Sequence, residues 1–384
     1  MTTGSWNYPT AVRFGPGRIR ELPDACRELG MQRPLLVTDP GLAALDVTAS
    51  TLAVVREAGL EVGLNTDVRP NPNGQNVTDG VAAYRAGGHD GVIAFGGGSA
   101  LDVAKAVALM VGQDRPLWDF EDVGDNWTRV DIDGMAPVVA VPTTSGTGSE
   151  VGRASVIVEE ATHTKRIIFH ARMLPAKVVC DPELTLGLPA GITAAVGMDA
   201  LSHNLEAWCA PGFHPQADGI AAEGTRLVHL ALRRAFSDGA DVEARAWMMA
   251  ASLMGATAFQ KGLGAMHAMS HPIGAVLDAH HGLTNAVVMP YVLMRNRSVI
   301  GDRCGRLAAY LGVGSTFSAF LDWVLALRED LGIHHTTAAL GFTADHVEAL
   351  APMAHADPSA GGNPIPLTVA EYGELFTAAL EGSL

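Results

Sequence analysis

Two apolar runs in the first half of the chain each end in a loop rich in glycine and hydroxyl side chains. Residues 91–95 lead into Gly96-Gly97-Gly98-Ser99 and then into a helical stretch over residues 100–110. Residues 137–141 lead into Pro142-Thr143-Thr144-Ser145-Gly146-Thr147-Gly148-Ser149-Glu150. Continuous apolar runs of this length are typical of strands in a parallel sheet that helices cover on both faces. The pattern therefore predicts an α/β fold for this part of the chain.

The same alternation begins earlier and stops near the middle of the sequence. Residues 34–39 form an apolar run that ends in Asp39, residues 49–59 are helical in character, and residues 61–64 form another apolar run. This order is that of a βαβ unit. After residue 187 the chain becomes rich in alanine and leucine, which predicts helices. Because 384 residues exceed what one core usually organises, we predict an α/β domain over residues 1–187 and an all-helical domain over residues 188–384.

The glycine-rich loop predicts a phosphate site. Gly96, Gly97, Gly98 and Ser99 leave backbone N–H groups uncovered at the start of a helix, where the helix dipole favours an anion. A tight turn between strand and helix is the alternative interpretation. Neither the Gly-x-Gly-x-x-Gly pattern nor the Gly-Lys-Ser/Thr ending of a nucleotide triphosphatase loop is present.

Other candidate contacts to a dinucleotide follow two of the predicted strands. The hydroxyl groups of Thr143, Thr144 and Thr147 suit a neighbouring phosphate, ribose or nicotinamide amide. Asp39 suits an adenosine ribose and would repel a 2′-phosphate, which favours NAD over NADP. The alternative role of Asp39 is to cap a turn or helix.

The helical half carries an acid and several histidines at spacings that suit a metal. Asp199 and His203 are four residues apart and project from one face of a helix. His267 and His271 have the same spacing, and His281 follows. One carboxylate with several imidazoles is the donor set of a divalent transition metal such as Fe²⁺ or Zn²⁺. The spacing does not decide between His267 and His271, and a buried histidine or an ion pair is the alternative interpretation of each.

Charge and hydropathy exclude several classes of partner. The formal net charge is −15, from 26 basic and 41 acidic residues, and no basic run is present, which argues against nucleic-acid binding. Residues 1–10 lack the layout of a signal peptide, and no apolar stretch reaches the ~18 residues of a spanning helix. We therefore expect a soluble, cytoplasmic protein that binds neither nucleic acid nor a membrane.

Several motifs together resemble the iron-containing alcohol dehydrogenase family, which includes lactaldehyde reductase and propanediol dehydrogenase. The resemblance covers nearly the whole chain and implies a nucleotide-binding domain with a parallel, dehydroquinate synthase-like sheet, followed by an all-α metal-binding domain. The motifs are Gly15-Pro16-Gly17, Asn71-Pro72-Asn73, Gly96-Gly97-Gly98-Ser99 with Asp102, the loop over residues 142–150, Asp181-Pro182-Glu183-Leu184, Gly197-Met198-Asp199-Ala200 with His203 and Glu206-Ala207, and residues 262–267 through His281-Gly282.

The resemblance also implies roles for individual residues. Asp199, His203, His267 and His281 match the metal ligands of the family, with Fe²⁺ as the expected ion and Zn²⁺ as the alternative. His271 then lies beside the metal as a candidate proton-relay residue. The resemblance implies that three further residues serve the cofactor. Asp102 contacts it together with the glycine-rich loop, and Lys165 contacts its ribose. Asp39 lies at the position associated with NAD preference. Gly152 departs from the family, which often has a threonine there that contacts the cofactor.

The implied function is NAD-dependent, reversible hydride transfer between nicotinamide and a small alcohol or aldehyde whose oxygen is bound to the metal. The resemblance also implies a homodimer or a larger homo-oligomer. A maleylacetate reductase-type oxidoreductase is one alternative, and the four retained ligands count against it because that group typically lacks the complete set. A dehydroquinate synthase-like lyase is the other, and no pocket rich in lysine and arginine for a phosphorylated acid supports it.

Overall fold

The computed structural model describes residues 9–162 and 164–384. Within them the chain forms two compact units. The first comprises residues 9–144 and 148–187, and the second comprises residues 188–384 with residues 145–147. Residues 1–8, on which most of the signal-peptide expectation rests, lie outside the described residues.

The first unit alternates strands and helices. Its strands are β1 (Ala11–Phe14), β2 (Pro34–Val37), β3 (Gly63–Asn65), β4 (Gly91–Gly96), β5 (Val138–Pro142), β6 (Ala154–Glu159), β7 (Thr164–Phe169) and β8 (Lys177–Cys180). Its α-helices are α1 (Leu22–Glu28), α2 (Pro40–Ala43), α3 (Asp46–Glu57), α4 (Gly74–Ala86) and α5 (Gly98–Met110). Single turns of 3-10 helix cover Arg18–Glu21, Leu117–Phe120, Asn126–Arg129, Ser149–Val151, Ala171–Met173 and Pro182–Thr185.

Six of these strands form one parallel sheet in the order β1-β8-β5-β4-β2-β3. The predicted parallel α/β fold is confirmed, and the runs at residues 34–39, 91–95 and 137–141 correspond to β2, β4 and β5. Sequence analysis did not identify β1 and β8, which pair with each other, or the antiparallel hairpin of β6 and β7. Polar residues interrupt β1, β6 and β7, and β8 has only three apolar residues after Lys177, so none of the four has the continuous apolar run that marks the central strands.

The central strands are buried on both faces. Every residue of β2, β4 and β5 is buried, which explains why their sequences are apolar without alternation. On one face, Leu36, Ile93, Phe95 and Val139 pack with residues of α1 and α3. The sheet is therefore held by helices on its faces, and the carboxyl ends of β4 and β5 carry the two loops singled out in the sequence.

The second unit is helical, as predicted. Its α-helices are α6 (Ala190–Cys209), α7 (Pro215–Ser237), α8 (Val242–Ala258), α9 (Ala265–Leu277), α10 (His281–Leu311), α11 (Phe317–Asp330), α12 (Ala344–Ala356) and α13 (Val369–Glu381), with 3-10 turns at Phe259–Lys261, Thr337–Leu340 and Pro358–Gly362. Most side chains of α6 are buried on every face, so this helix is the centre of the unit. Across the described residues, no helix has both the length and the hydropathy that crossing a membrane requires.

Candidate metal and cofactor sites

Three side chains from two helices converge inside the helical unit. Asp199 and His203 lie one turn apart on α6, and His267 lies near the start of α9. One potential ligand atom from each of the three lies within 4.8 Å of the others, and all three residues are buried. The imidazole rings of His203 and His267 stack with their centroids 4.6 Å apart. The structure thus brings together three of the four predicted ligands in one buried cluster.

The fourth predicted ligand, His281, lies beside this cluster at the start of α10. Its Nε2 is 3.7 Å from Oδ1 of Asp199. A glycine makes this approach feasible, because a Cβ atom at Gly282 would lie 2.3 Å from the carbonyl oxygen of Ala195 and 2.9 Å from Cβ of Asp199. The His281-Gly282 pair therefore lets α10 begin against α6 at the level of the cluster.

The donor chemistry of the four residues fits a divalent transition metal. Burial lowers the pKa of His203 to about 4, against the opposing effect of Asp199, so its imidazole is neutral near pH 7. Nδ1 of His203 lies 3.3 Å from the carbonyl oxygen of Gly146. A neutral imidazole is the form that binds metals, and three imidazoles with one carboxylate suit Fe²⁺ or Zn²⁺.

A second carboxylate, which sequence analysis assigned no role, orients His267. Oε2 of Glu206 lies 2.7 Å from Nδ1 of His267, and Oε1 accepts a hydrogen bond from the backbone N–H of Met266 at 2.7 Å. Burial opposes protonation of His267, but the hydrogen bond and charge of Glu206, together with Asp199, outweigh it and raise the pKa of His267. The available sequence signal was spacing, because Glu206 follows His203 by three residues on α6.

His271, the predicted proton-relay residue, lies at the edge of the cluster with its own carboxylate partner. Its ring stacks on that of His281 at a centroid distance of 5.3 Å, and its Nδ1 lies 2.8 Å from Oδ2 of Asp357. Burial raises the pKa of Asp357, but the charge and hydrogen bond of His271 lower it further than burial raises it. No local pattern could have identified Asp357, because it lies 86 residues from His271 in sequence.

An asparagine also reaches three of the predicted ligands. Asn285 is fully buried on α10, one turn after His281. Its Nδ2 lies 2.9 Å from Oδ1 of Asp199, 3.3 Å from Nε2 of His267 and 3.2 Å from Nε2 of His281. Its own Oδ1 is buried and makes no hydrogen bond to any described residue. Sequence analysis missed this residue, although its spacing of four from His281 places both on one face of the helix.

In the α/β unit, the glycine-rich loop joins β4 to the first turn of α5. Gly96 has φ of 144°, a conformation that favours glycine, and Gly97 is the residue immediately before the helix. A Cβ atom at Gly97 would lie 3.3 Å from Cγ2 and Oγ1 of Thr144, so this loop and the loop after β5 touch. Residues 97–99 are partly exposed. The loop therefore presents backbone N–H groups at a helix N-terminus, as a phosphate site requires.

Asp102 of α5 has protein partners on both carboxylate oxygens. Oδ1 accepts from the hydroxyl of Ser149 and lies 3.3 Å from Nζ of the buried Lys105. Oδ2 accepts from the backbone N–H of Val156 at 2.8 Å. These bonds fasten α5 to the segment after β5 and to β6, and a direct contact of Asp102 with a cofactor stays a prediction.

The other predicted cofactor residues lie on separate elements of the chain. Asp39 caps α2, because its Oδ1 accepts from the backbone N–H of Leu42 at 2.9 Å. Lys165 lies on β7 opposite Val158 of β6. A Cβ atom at Gly152 would lie 3.5 Å from the carbonyl oxygen of Ser149 and 3.6 Å from Nζ of Lys105, so there is room for a side chain at this position.

The hydroxyl-bearing residues of the second loop differ in burial. Thr143 is buried, and its backbone N–H donates to the carbonyl oxygen of Gly96 at 3.0 Å. Thr144 and Thr147 are partly exposed. Two of the three predicted hydroxyl donors are thus accessible to a ligand.

Both halves of the sequence match one known family. Residues 9–182 match the family described as iron-containing alcohol dehydrogenase, and residues 193–380 match the C-terminal domain of the same family. The chain belongs to the iron-containing alcohol dehydrogenase family. The resemblance seen in the sequence motifs is therefore confirmed, and with it the reaction class, a metal-dependent oxidoreductase of alcohols.

Individual relatives of this alcohol dehydrogenase match along nearly their full length. The 4-hydroxybutyrate dehydrogenase of Cupriavidus necator is 39% identical, over 97% of this chain and 99% of the relative. The NAD-dependent methanol dehydrogenase of Bacillus methanolicus is 33% identical, over 97% and 98%. A crystal structure of a 1,3-propanediol oxidoreductase superposes with a TM-score of 0.93 at 34% identity, over 98% of this chain and 100% of that one.

Proposed function

We propose that this protein is an NAD-dependent alcohol dehydrogenase that interconverts a small alcohol and its aldehyde or ketone, with Asp199, His203, His267 and His281 holding one divalent metal. The observation that carries the proposal is the buried convergence of Asp199, His203 and His267, with Nε2 of His281 3.7 Å from the same carboxylate. A buried carboxylate beside the neutral imidazole of His203 is costly unless a cation or hydrogen-bond partner compensates it.

The four ligands and their partners fix the geometry of the site. When bound, the metal supplies a Lewis acid that acidifies the alcohol hydroxyl, and NAD supplies the hydride acceptor. Glu206 holds Nδ1 of His267 and so directs Nε2 of that ring toward Asp199. The N–H of Met266 holds the other oxygen of Glu206, so the carboxylate is fixed at both ends.

His271 is proposed to exchange the proton released from the alcohol. Because Asp357 engages Nδ1 of His271, Nε2 is the nitrogen through which this ring can take up or release a proton. Asp357 is itself held by the backbone N–H of Ser359 at 2.8 Å. The pair resembles the His267–Glu206 pair in construction, but its ring lies outside the proposed ligand set.

The α/β unit is proposed to bind NAD. Gly96, Gly97, Gly98 and Ser99 would receive the pyrophosphate, for which they offer backbone N–H groups at the N-terminus of α5. The proposed further contacts are Asp39 to the adenosine ribose, Lys165 to the second ribose, and Asp102, Thr143, Thr144 and Thr147 around the loops. The NAD dependence stated in the name of the methanol dehydrogenase relative supports this assignment.

The metal is proposed to be Fe²⁺, with Zn²⁺ as the alternative, because the family is described as iron-containing and the donor set suits both ions. The names of the relatives point to short alcohols, including diols and a hydroxy acid, as the substrate class. We propose that the enzyme acts in the cytoplasm as a homodimer or larger homo-oligomer.

The test is NADH consumption by protein stripped of metal and reloaded anaerobically with Fe²⁺, Zn²⁺ or nothing. The substrates are short aldehydes, hydroxyaldehydes, ketones and the aldehyde of 4-hydroxybutyrate. The proposal predicts NADH oxidation that depends on metal. Activity without metal would instead indicate a maleylacetate reductase-type enzyme, and turnover of a substrate without net NADH change would indicate a lyase.

A further inference from the structure

The amide of Asn285 competes for lone pairs that the proposed metal would use. Nδ1 of His267 is engaged by Glu206, and Nδ1 of His281 lies 3.3 Å from the hydroxyl of Ser270. In each ring Nε2 is therefore the nitrogen available as an acceptor. The amide group of Asn285 lies within 3.3 Å of both of these nitrogens and 2.9 Å from Oδ1 of Asp199.

An imidazole nitrogen and a carboxylate oxygen respond differently to this competition. Each imidazole Nε2 has one lone pair, so it either accepts a hydrogen bond or binds a metal. Oδ1 of Asp199 has two lone pairs, so it can accept from Asn285 and bind a metal together. The amide of Asn285 has two N–H groups, so without metal it can donate to two of these three atoms at a time, and with metal bound it can donate only to Oδ1 of Asp199.

We infer that Asn285 is a positioning residue that keeps the ligand cluster assembled while no metal is bound, which allows the site to be reloaded. The inference rests on the proposed metal site. Nδ2 of Asn285 lies within hydrogen-bond reach of Asp199 of α6, His267 of α9 and His281 of α10, so its two N–H groups can link α10 to α6 and α9 through any two of these side chains. The metal takes over this connecting role when it binds.

The orientation of the amide is consistent with this role. Oδ1 of Asn285 is buried and makes no hydrogen bond within the described part of the chain. A buried carbonyl oxygen without a partner is unfavourable, so the donors of the same amide must offset it. The two hydrogen bonds that Nδ2 can donate among the three ligand atoms provide that offset.

The experiment compares thermal unfolding of the chelator-stripped and Zn²⁺-loaded full-length protein in three forms: unsubstituted, Asn285→Leu and Thr284→Val. Leucine has nearly the shape of asparagine but no donor. Thr284 is a matched control, because it is equally buried on the same helix and its hydroxyl donates to the carbonyl oxygen of His280. Asn285→Ser serves as a second variant if the leucine variant does not fold.

We expect Asn285→Leu to lower the unfolding temperature of the stripped protein by about 3–6 °C and that of the loaded protein by less than half as much. Thr284→Val should lower both by equal amounts. After a cycle of stripping and reloading, Asn285→Leu should also regain at least twofold less bound Zn²⁺ than the control variant.

Equal shifts in the stripped and loaded forms of Asn285→Leu would overturn the inference, since they would indicate a general packing role. The proposed function has a separate test in the same data. If Zn²⁺ neither binds the unsubstituted protein nor raises its unfolding temperature, the proposed metal site itself is wrong, whatever the variants do.

Discussion

The glycine-rich loop offers backbone groups to a ligand, whereas the cluster of Asp199, His203, His267 and His281 offers side chains. The loop is contiguous, over residues 96–99, and offers backbone N–H groups that the lack of side chains leaves uncovered. The cluster draws side chains from α6, α9 and α10, and nearly every proposed ligand has a second side chain that orients it. The proposed phosphate site is therefore sensitive to added side-chain atoms, and the proposed metal site is sensitive to the loss of side-chain atoms.

The substitution with the largest expected effect removes one proposed ligand from the cluster. His267→Ala should eliminate stoichiometric metal binding and lower kcat/KM by about 10³-fold or more, because the site loses a ligand and with it the Lewis acid. Metal content and NADH oxidation are measured on the same preparation. His334→Ala, at an exposed histidine, is the control. A fully active, metal-free His267→Ala enzyme would contradict the assignment of this ligand.

The substitution with the next largest expected effect adds a side chain to the glycine-rich loop. Gly97→Val should raise the KM for NAD by about 10- to 100-fold, equivalent to about 1.4–2.7 kcal/mol of binding. The new Cβ would crowd Thr144 at 3.3 Å and cover the N–H groups of the loop. Metal content should not change. Gly219→Ala, at a helical glycine with open space around it, provides the comparison. Unchanged NAD binding in Gly97→Val would show that the cofactor does not use this loop.

A third substitution tests how far metal binding by the cluster depends on the side chains that support the proposed ligands. Glu206→Gln should weaken Zn²⁺ binding by about 10- to 100-fold, measured by competition with a chelating dye. Glutamine lacks the negative charge beside His267, and its single amide oxygen can accept from His267 or from the N–H of Met266 but cannot replace both carboxylate oxygens. A dissociation constant within twofold of that of the unsubstituted protein would show that Glu206 does not tune the ligand.

A smaller effect concerns cofactor choice in the α/β unit. Asp39→Asn removes the charge that would repel a 2′-phosphate, while its side-chain oxygen can still cap Leu42. The ratio of kcat/KM for NADP to that for NAD should rise about tenfold, equivalent to about 1.4 kcal/mol. The ratio is the quantity to compare, because a general loss of folding would lower both values together. No change in it would remove Asp39 from the ribose site.

The last prediction concerns stability and not turnover: a pH dependence within the α/β unit. Burial raises the pKa of Glu150 from 4.5 to about 7, opposed by a backbone hydrogen bond and by Lys105. A carboxyl group whose pKa is higher in the folded state contributes stability that is fully present below pH 4.5 and is lost as pH rises through about 7. The loss is on the order of 1–3 kcal/mol.

Glu150→Gln should remove this dependence of the free energy of unfolding on pH. Denaturant unfolding at several pH values from 4.5 to 8 measures it, and the free energy of unfolding of the variant should change less over this range than that of the unsubstituted protein. Turnover at pH 8 should be retained. Parallel pH profiles for the two proteins would assign the slope to other groups.

The sequence predicted contiguous features well and long-range partners poorly. The loop after β4 was predictable because its strand, glycines and helix follow one another in the sequence. The proximity of Asp199 and His203 was predictable because both lie on one face of one helix. The choice of His267 over His271 as ligand came from the family resemblance, because both spacings suit one face. Asp357 had no local signal, since its partner lies on a different helix far away in the chain. The pairing of β1 with β8 was missed for the same reason.

Because the proposed ligands come from α6, α9 and α10, the order in which the chain is synthesised determines when the proposed metal site can form. β1 can pair once β8 is made, so the parallel sheet can close when residue 180 has left the ribosome. The proposed ligands cannot meet until His281 has also emerged. Domains generally fold as units during synthesis, the N-terminal one first. On a nascent chain, the glycine-rich loop of the proposed dinucleotide site can therefore form before the proposed metal site exists, and acquisition of metal would be a late step in the maturation of this enzyme.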